Sequence, residues 1–332
     1  MRTPPRPSLR RALLPAALLL SVAGLAACGT SQPAADAEPT SPDASAGPVS
    51  LTDAAGRTVE LDAPAERVVV LEWQQVEDVL ALGVEPVGVA DVAGYNTYSS
   101  ALPVDEGTTD VGTRGEPNMD AVFSTDPDLV IVEAERGAPI IDQLTEYDVP
   151  VLVTKGADTA DPIANMEATF TLIAEALGKE EEAEEVLAEL DATIEEGKAA
   201  IAEADLETTE FVYVDGYVDG SNVSVRPFGQ GSLMGELGET LGLTNVWSGK
   251  VDPAYGLGAT DPEGLRAVGD AHFFYSSTEA SAWVEALEGN AVWQRAGFVQ
   301  ADRVHPFPEG VWTFGGPRSS QQVVEAYVDA LT

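Results

Sequence analysis

The sequence predicts an α/β protein of two lobes joined by a long helical connector. Three observations carry this. Short apolar runs alternate with amphipathic stretches from Val49 to Val153, the rhythm of parallel strands covered on both faces by helices. Over residues 160–204 only helical spacing is found. The alternation then resumes at Phe211. The expected boundaries are 49–158 for the first lobe, 159–206 for the connector and 207–332 for the second lobe.

Val68-Val69-Val70-Leu71 is a continuous apolar run, as in a strand buried on both faces. Gln75 to Leu82 places Val76, Val79 and Leu80 on one helical face, and Gly83 stops it. Pro86 to Ala90 is the next strand, Met119 to Phe123 a helix and Asp128 to Val132 a strand. Ile140 to Tyr147 is then a helix and Val149 to Val153 a strand. In the connector, Ile163, Met166, Phe170, Ile173 and Leu177 are spaced 3, 4, 3 and 4, which is one face of a helix ending at Gly178. A second helix continues through Ala183, Leu187, Leu190, Ile194 and Ile201 with an acidic exterior. Glu180-Glu181-Glu182 near its start suits the helix dipole. In the second lobe, Phe211 to Val214 is a strand and Ser232 to Leu241 a helix. Pro262 to Val268 is a helix, His272 to Tyr275 a strand, and Gln321 to Leu331 the closing helix.

The chain has 332 residues, with 17 basic and 56 acidic side chains and a net charge of −39. A chain this acidic repels phosphate backbones, which excludes nucleic acid as a partner. One cysteine forms no internal disulfide, and with two histidines it builds no Cys/His metal cluster. No Gly-x-Ser-x-Gly, P-loop or dinucleotide fingerprint stands at a strand-to-helix junction, so the expectation is no enzyme.

Residues 1–27 read as an export signal. Arg2, Arg6, Arg10 and Arg11 form a basic region, followed by an apolar stretch from Ala12 to Leu25 too short to span a membrane. Leu25-Ala26-Ala27-Cys28 resembles the lipobox of bacterial lipoproteins, in which the cysteine is lipidated. This implies a protein held by diacylglycerol and palmitate-type chains on the outer face of the cell membrane, with lipid its only membrane contact. Arg10-Arg11 leaves both general and twin-arginine export open. Residues 28–48 lack any aliphatic side chain larger than Ala until the end and read as a disordered tether.

Several stretches match a known family in order and spacing. They are Thr52-Asp53-Ala54-Ala55-Gly56-Arg57-Thr58-Val59 with Pro64-Ala65-Glu66-Arg67-Val68-Val69, and Leu80 to Val89. Val111-Gly112-Thr113-Arg114-Gly115-Glu116-Pro117-Asn118-Met119-Asp120 follows, with Asp126-Pro127-Asp128-Leu129-Val130. Gly231-Ser232-Leu233-Met234-Gly235-Glu236 and Val311-Trp312-Thr313-Phe314-Gly315-Gly316-Pro317 complete the set. Together they resemble the substrate-binding lipoproteins of ABC importers for ferric siderophores, haem and cobalamin, closest to the iron-siderophore branch. The resemblance implies two Rossmann-like lobes with ligand held in the cleft between them. It implies a monomer that captures a ferric siderophore and delivers it to an ABC permease dimer with its ATPase. A cobalamin or haem binder of the same architecture is the alternative, and a secreted enzyme a remote one.

An iron chelate arrives with its metal already coordinated, so no cofactor or protein metal ligand is expected. The cleft needs guanidinium groups for ligand oxygens and aromatic faces for the organic shell. Arg114 lies in a Gly-rich turn between strand and helix, and Arg226 in Val223-Ser224-Val225-Arg226-Pro227-Phe228-Gly229, read as a loop before a helix. Trp73 directly follows the first apolar strand, while Tyr95 and Tyr98 are read in a loop after the second. Trp312 and Phe314 match a family position that lines the ligand. These seven are the candidate ligand contacts, with Tyr217, Trp247, Tyr255 and Tyr275 ranked below them. Arg67, Arg318, Trp283 and Trp293 are read as structural. The resemblance further implies that Asp120 and Glu236, one acid per lobe, dock onto the permease.

Overall fold

The structure is a computed structural model that describes residues 47–332 apart from 106, 135–137, 221 and 277–281. The export signal, Cys28 and all but the end of the tether lie outside the described residues. No helix among the described residues is long and apolar enough to cross a membrane.

An antiparallel ribbon opens the fold, β1 (Val49–Thr52) on β2 (Thr58–Leu61). The first lobe is a five-stranded parallel sheet built from β3 (Val68–Val70), β4 (Gly88–Val89), β5 (Thr109–Asp110), β6 (Leu129–Glu133) and β7 (Val151–Thr154). Its order is β5-β4-β3-β6-β7, with β3 central. The uniform apolar character of β3 follows from burial on both faces: Val68 and Val70 join one core cluster, Val69 and Leu71 the other. Helices α1 (Trp73–Ala81), α2 (Val92–Tyr98), α3 (Met119–Ser124) and α4 (Ala138–Leu144) connect the strands. The chain steps from β3 outward to β4 on one side and returns to β6 on the other. That reversal opens a crevice at the carboxyl ends of the strands.

Two helices form the connector, α5 (Pro162–Leu177) and α6 (Glu180–Glu203). Asp161 caps α5 by accepting from Ala164 N at 3.0 Å, and Gly178 ends it at a φ of 63°. The 3-and-4 spacing is realised as a buried stripe of Met166, Phe170, Ile173 and Leu177.

In the second lobe, β10 (Thr244–Asn245), β8 (Glu210–Asp219), β11 (His272–Tyr275) and β12 (Val304–Pro306) run parallel in that order. The same two-sided logic holds: Phe211 and Tyr213 enter one cluster, Val212 and Val214 the other. Helices α7 (Leu233–Thr240), α8 (Ala282–Leu287) and α9 (Gly297–Gln300) belong to this lobe, and α10 (Pro317–Leu331) closes the chain against α6.

Three local readings are corrected. Residues 222–228 are not a loop but β9 (Asn222–Phe228), an antiparallel partner that extends β8 into a long hairpin. The Pro-Phe-Gly ending masked the strand period of Val223 and Val225. Tyr95 and Tyr98 lie on α2, not in a loop, because Asp91 at a φ of 58° caps that helix by accepting from Gly94 N. Pro262–Val268 is only a short 3₁₀ segment over Gly264–Val268.

Candidate functional site

The first lobe brings its strand ends to the crevice. Glu72 follows β3, Glu133 ends β6, and Gly156 follows β7. Arg114 is presented by a closed turn after β5. Gly112 takes a φ of 101°, its N–H donates to Asp110 Oδ1 at 2.9 Å, and Asn118 N returns to Val111 O at 2.7 Å. Arg114 then lies over Trp73, its guanidinium carbon 3.7 Å from the ring centroid, with Trp312 at 5.9 Å. Its Nη1 donates to Glu72 Oε1 at 2.7 Å.

The second lobe answers from the β8–β9 hairpin. Arg226 and Asp215 are directly opposed across it. Nε of Arg226 donates to Asp215 Oδ1 at 2.8 Å and Nη2 donates to Oδ2, a two-pronged pair. The guanidinium stands 5.5 Å from the Phe314 ring and 5.8 Å from Phe228. That pairing, with Tyr213 and Tyr217 adding to it, raises the Arg226 pKa despite burial. Between the two arginines is a cavity of about 410 Å³ lined by residues of both lobes, including Gln74, Glu133, Tyr255 and Leu257. A second one of about 250 Å³ shares Arg226, Trp312 and Phe314 with it and reaches Tyr98 and Tyr217.

Aromatic rings form a continuous wall across the boundary. Tyr98 stacks on Trp73 at 5.7 Å, and Trp73 meets Trp312 edge-on at 5.0 Å. Trp312 meets Phe314 at 5.4 Å, and Phe314 meets Tyr255 at 5.7 Å. The Tyr255 hydroxyl donates to Glu133 Oε1, tying the lobes across the cleft. Gln74 Nε2 and Trp312 Nε1 are buried donors with no partner among the described residues.

Of the seven candidate contacts, the structure brings Arg114, Arg226, Trp312 and Phe314 into the main lining. Trp73 is buried behind Arg114 as its platform, and Tyr98 lines the adjoining cavity. Tyr95 is a correction: it is fully buried and donates to Leu102 O at 2.7 Å, so it packs the core instead of the wall. Its neighbour Asp91, turned into the left-handed region, starts α2 in the phase that points Tyr95 inward. Tyr255, ranked low, is a lining residue. Glu72, Gln74, Glu133 and Asp215 were not singled out at all. An acid closing an otherwise apolar strand, as in Leu129-Val130-Ile131-Val132-Glu133, was the available signal. Trp283 and Trp293 are core, and Arg67 and Arg318 hold Asp126 O and Glu189 respectively. Asp120 is exposed on the first turn of α3, after the cap Asn118. Glu236 is half-buried on the first turn of α7, after the cap Ser232, and burial with nearby Glu239 and Asp161 raises its pKa. His272 Nδ1 lies 3.0 Å from His305 Nε2, and burial plus that neighbour push His272 down to about 4.

Two α/β lobes facing each other across a cleft of arginines and aromatic rings define a bilobal binding protein. The chain belongs to the Peripla_BP_2 periplasmic binding protein family, whose profile matches residues 68–309. It is 29% identical to the iron(3+)-hydroxamate-binding protein FhuD of Escherichia coli, over 80% of this chain and 86% of that one. It is 31% identical to the Fe(3+)-citrate-binding protein YfmC of Bacillus subtilis, covering 82% of each. The probable siderophore-binding lipoprotein YfiY of Bacillus subtilis is 26% identical over 90% of each chain. Among solved structures, the Fe3+-Desferal-bound siderophore-binding protein FhuD of Vibrio cholerae superposes with a TM-score of 0.71 at 26% identity. That match covers 80% of this chain and 97% of the other.

Proposed function

We propose that this protein captures a ferric siderophore outside the cytoplasmic membrane and delivers it to an ABC permease for iron uptake. The observation that carries this is the placement of Arg114 and Arg226 on opposite lobes, each beside aromatic faces, across one cavity of about 410 Å³. Guanidinium N–H groups donate to chelate oxygens while the rings cover the organic shell. The iron travels as cargo inside its chelate. Relatives named for Fe(3+)-hydroxamate and Fe(3+)-citrate binding support the ligand class.

Arg114, Arg226, Trp312, Phe314 and Tyr98 contact the ligand in this reading, and Trp73 positions Arg114. Cys28 carries the lipid anchor, consistent with a relative named as a lipoprotein. Asp120 and Glu236, one on each lobe, are the docking acids for the permease. The test is fluorescence titration of the purified chain with ferric hydroxamate, catecholate and citrate complexes. Saturable quenching by one of them supports the reading; no response to any of them overturns it.

A further inference from the structure

Resting on the siderophore reading, we infer that Gly310 and Gly316 are positioning residues for the chelate. They seat both ends of one loop on the first lobe and so fix where Trp312 and Phe314 stand between the two arginines. The loop leaves β12 in the second lobe and runs into α10, and residues 311–316 form neither helix nor strand. At its entry, Gly310 O accepts from Ser100 N at 2.8 Å and from Ser100 Oγ at 3.0 Å, just past α2. Gly310 takes a φ of 78°, and a Cβ there would stand 2.6 Å from Ser100 Cβ. At its exit, Gly316 directs its N–H to the buried Glu77 carboxylate on α1, which also accepts from Ser319 N and Oγ. A Cβ on Gly316 would overlap Asp78 Oδ1 and stand 3.2 Å from Glu77 Oε1. At both ends the backbone approaches the first lobe more closely than a side chain permits.

The rings carried between these two grips serve both arginines. Trp312 meets Trp73 at 5.0 Å and Tyr98 at 6.2 Å, and stands 5.9 Å from the Arg114 guanidinium. Phe314 stands 5.5 Å from the Arg226 guanidinium and 5.6 Å from Phe228 of the second lobe. Helix α1 makes the coupling direct. Its first turn supplies Trp73 and Gln74 to the site, and Glu77 and Asp78 meet the end of the loop one turn later. A binding wall keeps its geometry when the residues behind it are locked. A methyl group at either glycine drives the loop off the first lobe and displaces Trp312 from Trp73, although every wall side chain is still present.

The test is titration of Gly316→Ala and Gly310→Ala with ferric desferrioxamine, a ferric tris-catecholate and ferric citrate, beside urea unfolding of each variant. Gly197→Ala is the control. Its Cβ would stand 2.8 Å from Leu241 Cδ2 and 3.0 Å from Val324 Cγ1, in helix packing beyond the first turn of α10. Each loop variant should weaken the chelate that wild type binds best by at least about tenfold. Gly197→Ala should lower the urea midpoint and keep affinity within about twofold of wild type. Combining Gly316→Ala with Asp78→Ala removes the overlapping carboxylate and should recover most of the lost affinity. Gly310→Ala reads the other grip independently should Gly316→Ala not fold. Unchanged affinity in the loop variants overturns the inference while leaving the siderophore reading intact. Affinity that falls in step with the urea midpoint in all three variants, Gly197→Ala included, overturns it as well, because the loss is then one of folding alone. A wild-type chain that binds none of the three chelates overturns the siderophore reading and this inference with it.

Discussion

Glu77 on α1 caps α10 from the other lobe. Its Oε1 accepts from Ser319 N at 2.8 Å and its Oε2 accepts from the Ser319 hydroxyl, with the Arg318 and Gly316 N–H groups also directed to the carboxylate. α10 supplies no side-chain cap of its own. The first turn of a helix leaves several N–H groups without partners, and here an acid 242 residues away in sequence satisfies them. The joint between the lobes is thus a buried polar contact as well as a packed surface. Ser100 adds to it by donating its N–H to Gly310 O at 2.8 Å.

Removing that cap should destabilise the fold. Glu77→Ala leaves the α10 donors buried and unmatched, and is expected to cost about 2 kcal/mol in urea unfolding. Glu77→Gln, which keeps an acceptor, should cost less. A Glu77→Ala midpoint equal to wild type would show that the contact carries no stability.

Asp78 makes stability pH-dependent in a defined direction. It is fully buried with neither carboxylate oxygen partnered among the described residues, and both burial and the charge of Glu77 raise its pKa well above the ordinary value. The unfolded chain titrates Asp near about 3.9, so above that pH the folded state holds the extra proton. Its contribution is therefore complete below that value and declines as pH rises toward the folded pKa. Asp78→Asn mimics the neutral acid and removes its share of the slope, leaving that of Glu77, whose pKa burial also raises. The variant should gain on wild type in urea midpoint from pH 5 to pH 8; a constant difference would contradict this.

Arg114 should be a binding residue with a geometric requirement. Arg114→Ala is expected to weaken ferric chelate binding by about 1.5–3 kcal/mol. Arg114→Lys should not restore it, because a compact ammonium lacks the planar fork that sits over Trp73 and holds Glu72 while donating outward. Full affinity in the Lys variant would assign the residue a charge role alone.

Transport separates the proposed docking acids from the cleft. Glu236→Ala and Asp120→Ala should leave chelate affinity unchanged and lower uptake in cells carrying the permease. Loss of affinity in either variant would place that acid in the binding function instead.

Much of the fold was legible because buried parallel strands write themselves as unbroken apolar runs. Val68 to Leu71 and Leu129 to Val132 needed no tertiary information to be found. The β9 strand escaped because Arg226 and Pro227 interrupt its apolar alternation. Arg226 faces Asp215 across the hairpin, a pairing that appears only once the register is known. Arg114 was legible from its glycine-flanked turn, but its carboxylate partner was not, since Glu72 lies 42 residues earlier. Tyr95 failed in the opposite sense: a tyrosine in an expected loop read as a ligand contact, while helix phase buried it.

The central claim is tested most directly by tryptophan fluorescence as ferric desferrioxamine is added to the purified chain. Trp73 and Trp312 stand in or behind the cleft wall, so the account predicts saturable quenching at one chelate per chain, weakened in Arg114→Ala. Fluorescence that stays flat through desferrioxamine, catecholate and citrate complexes alike would contradict it.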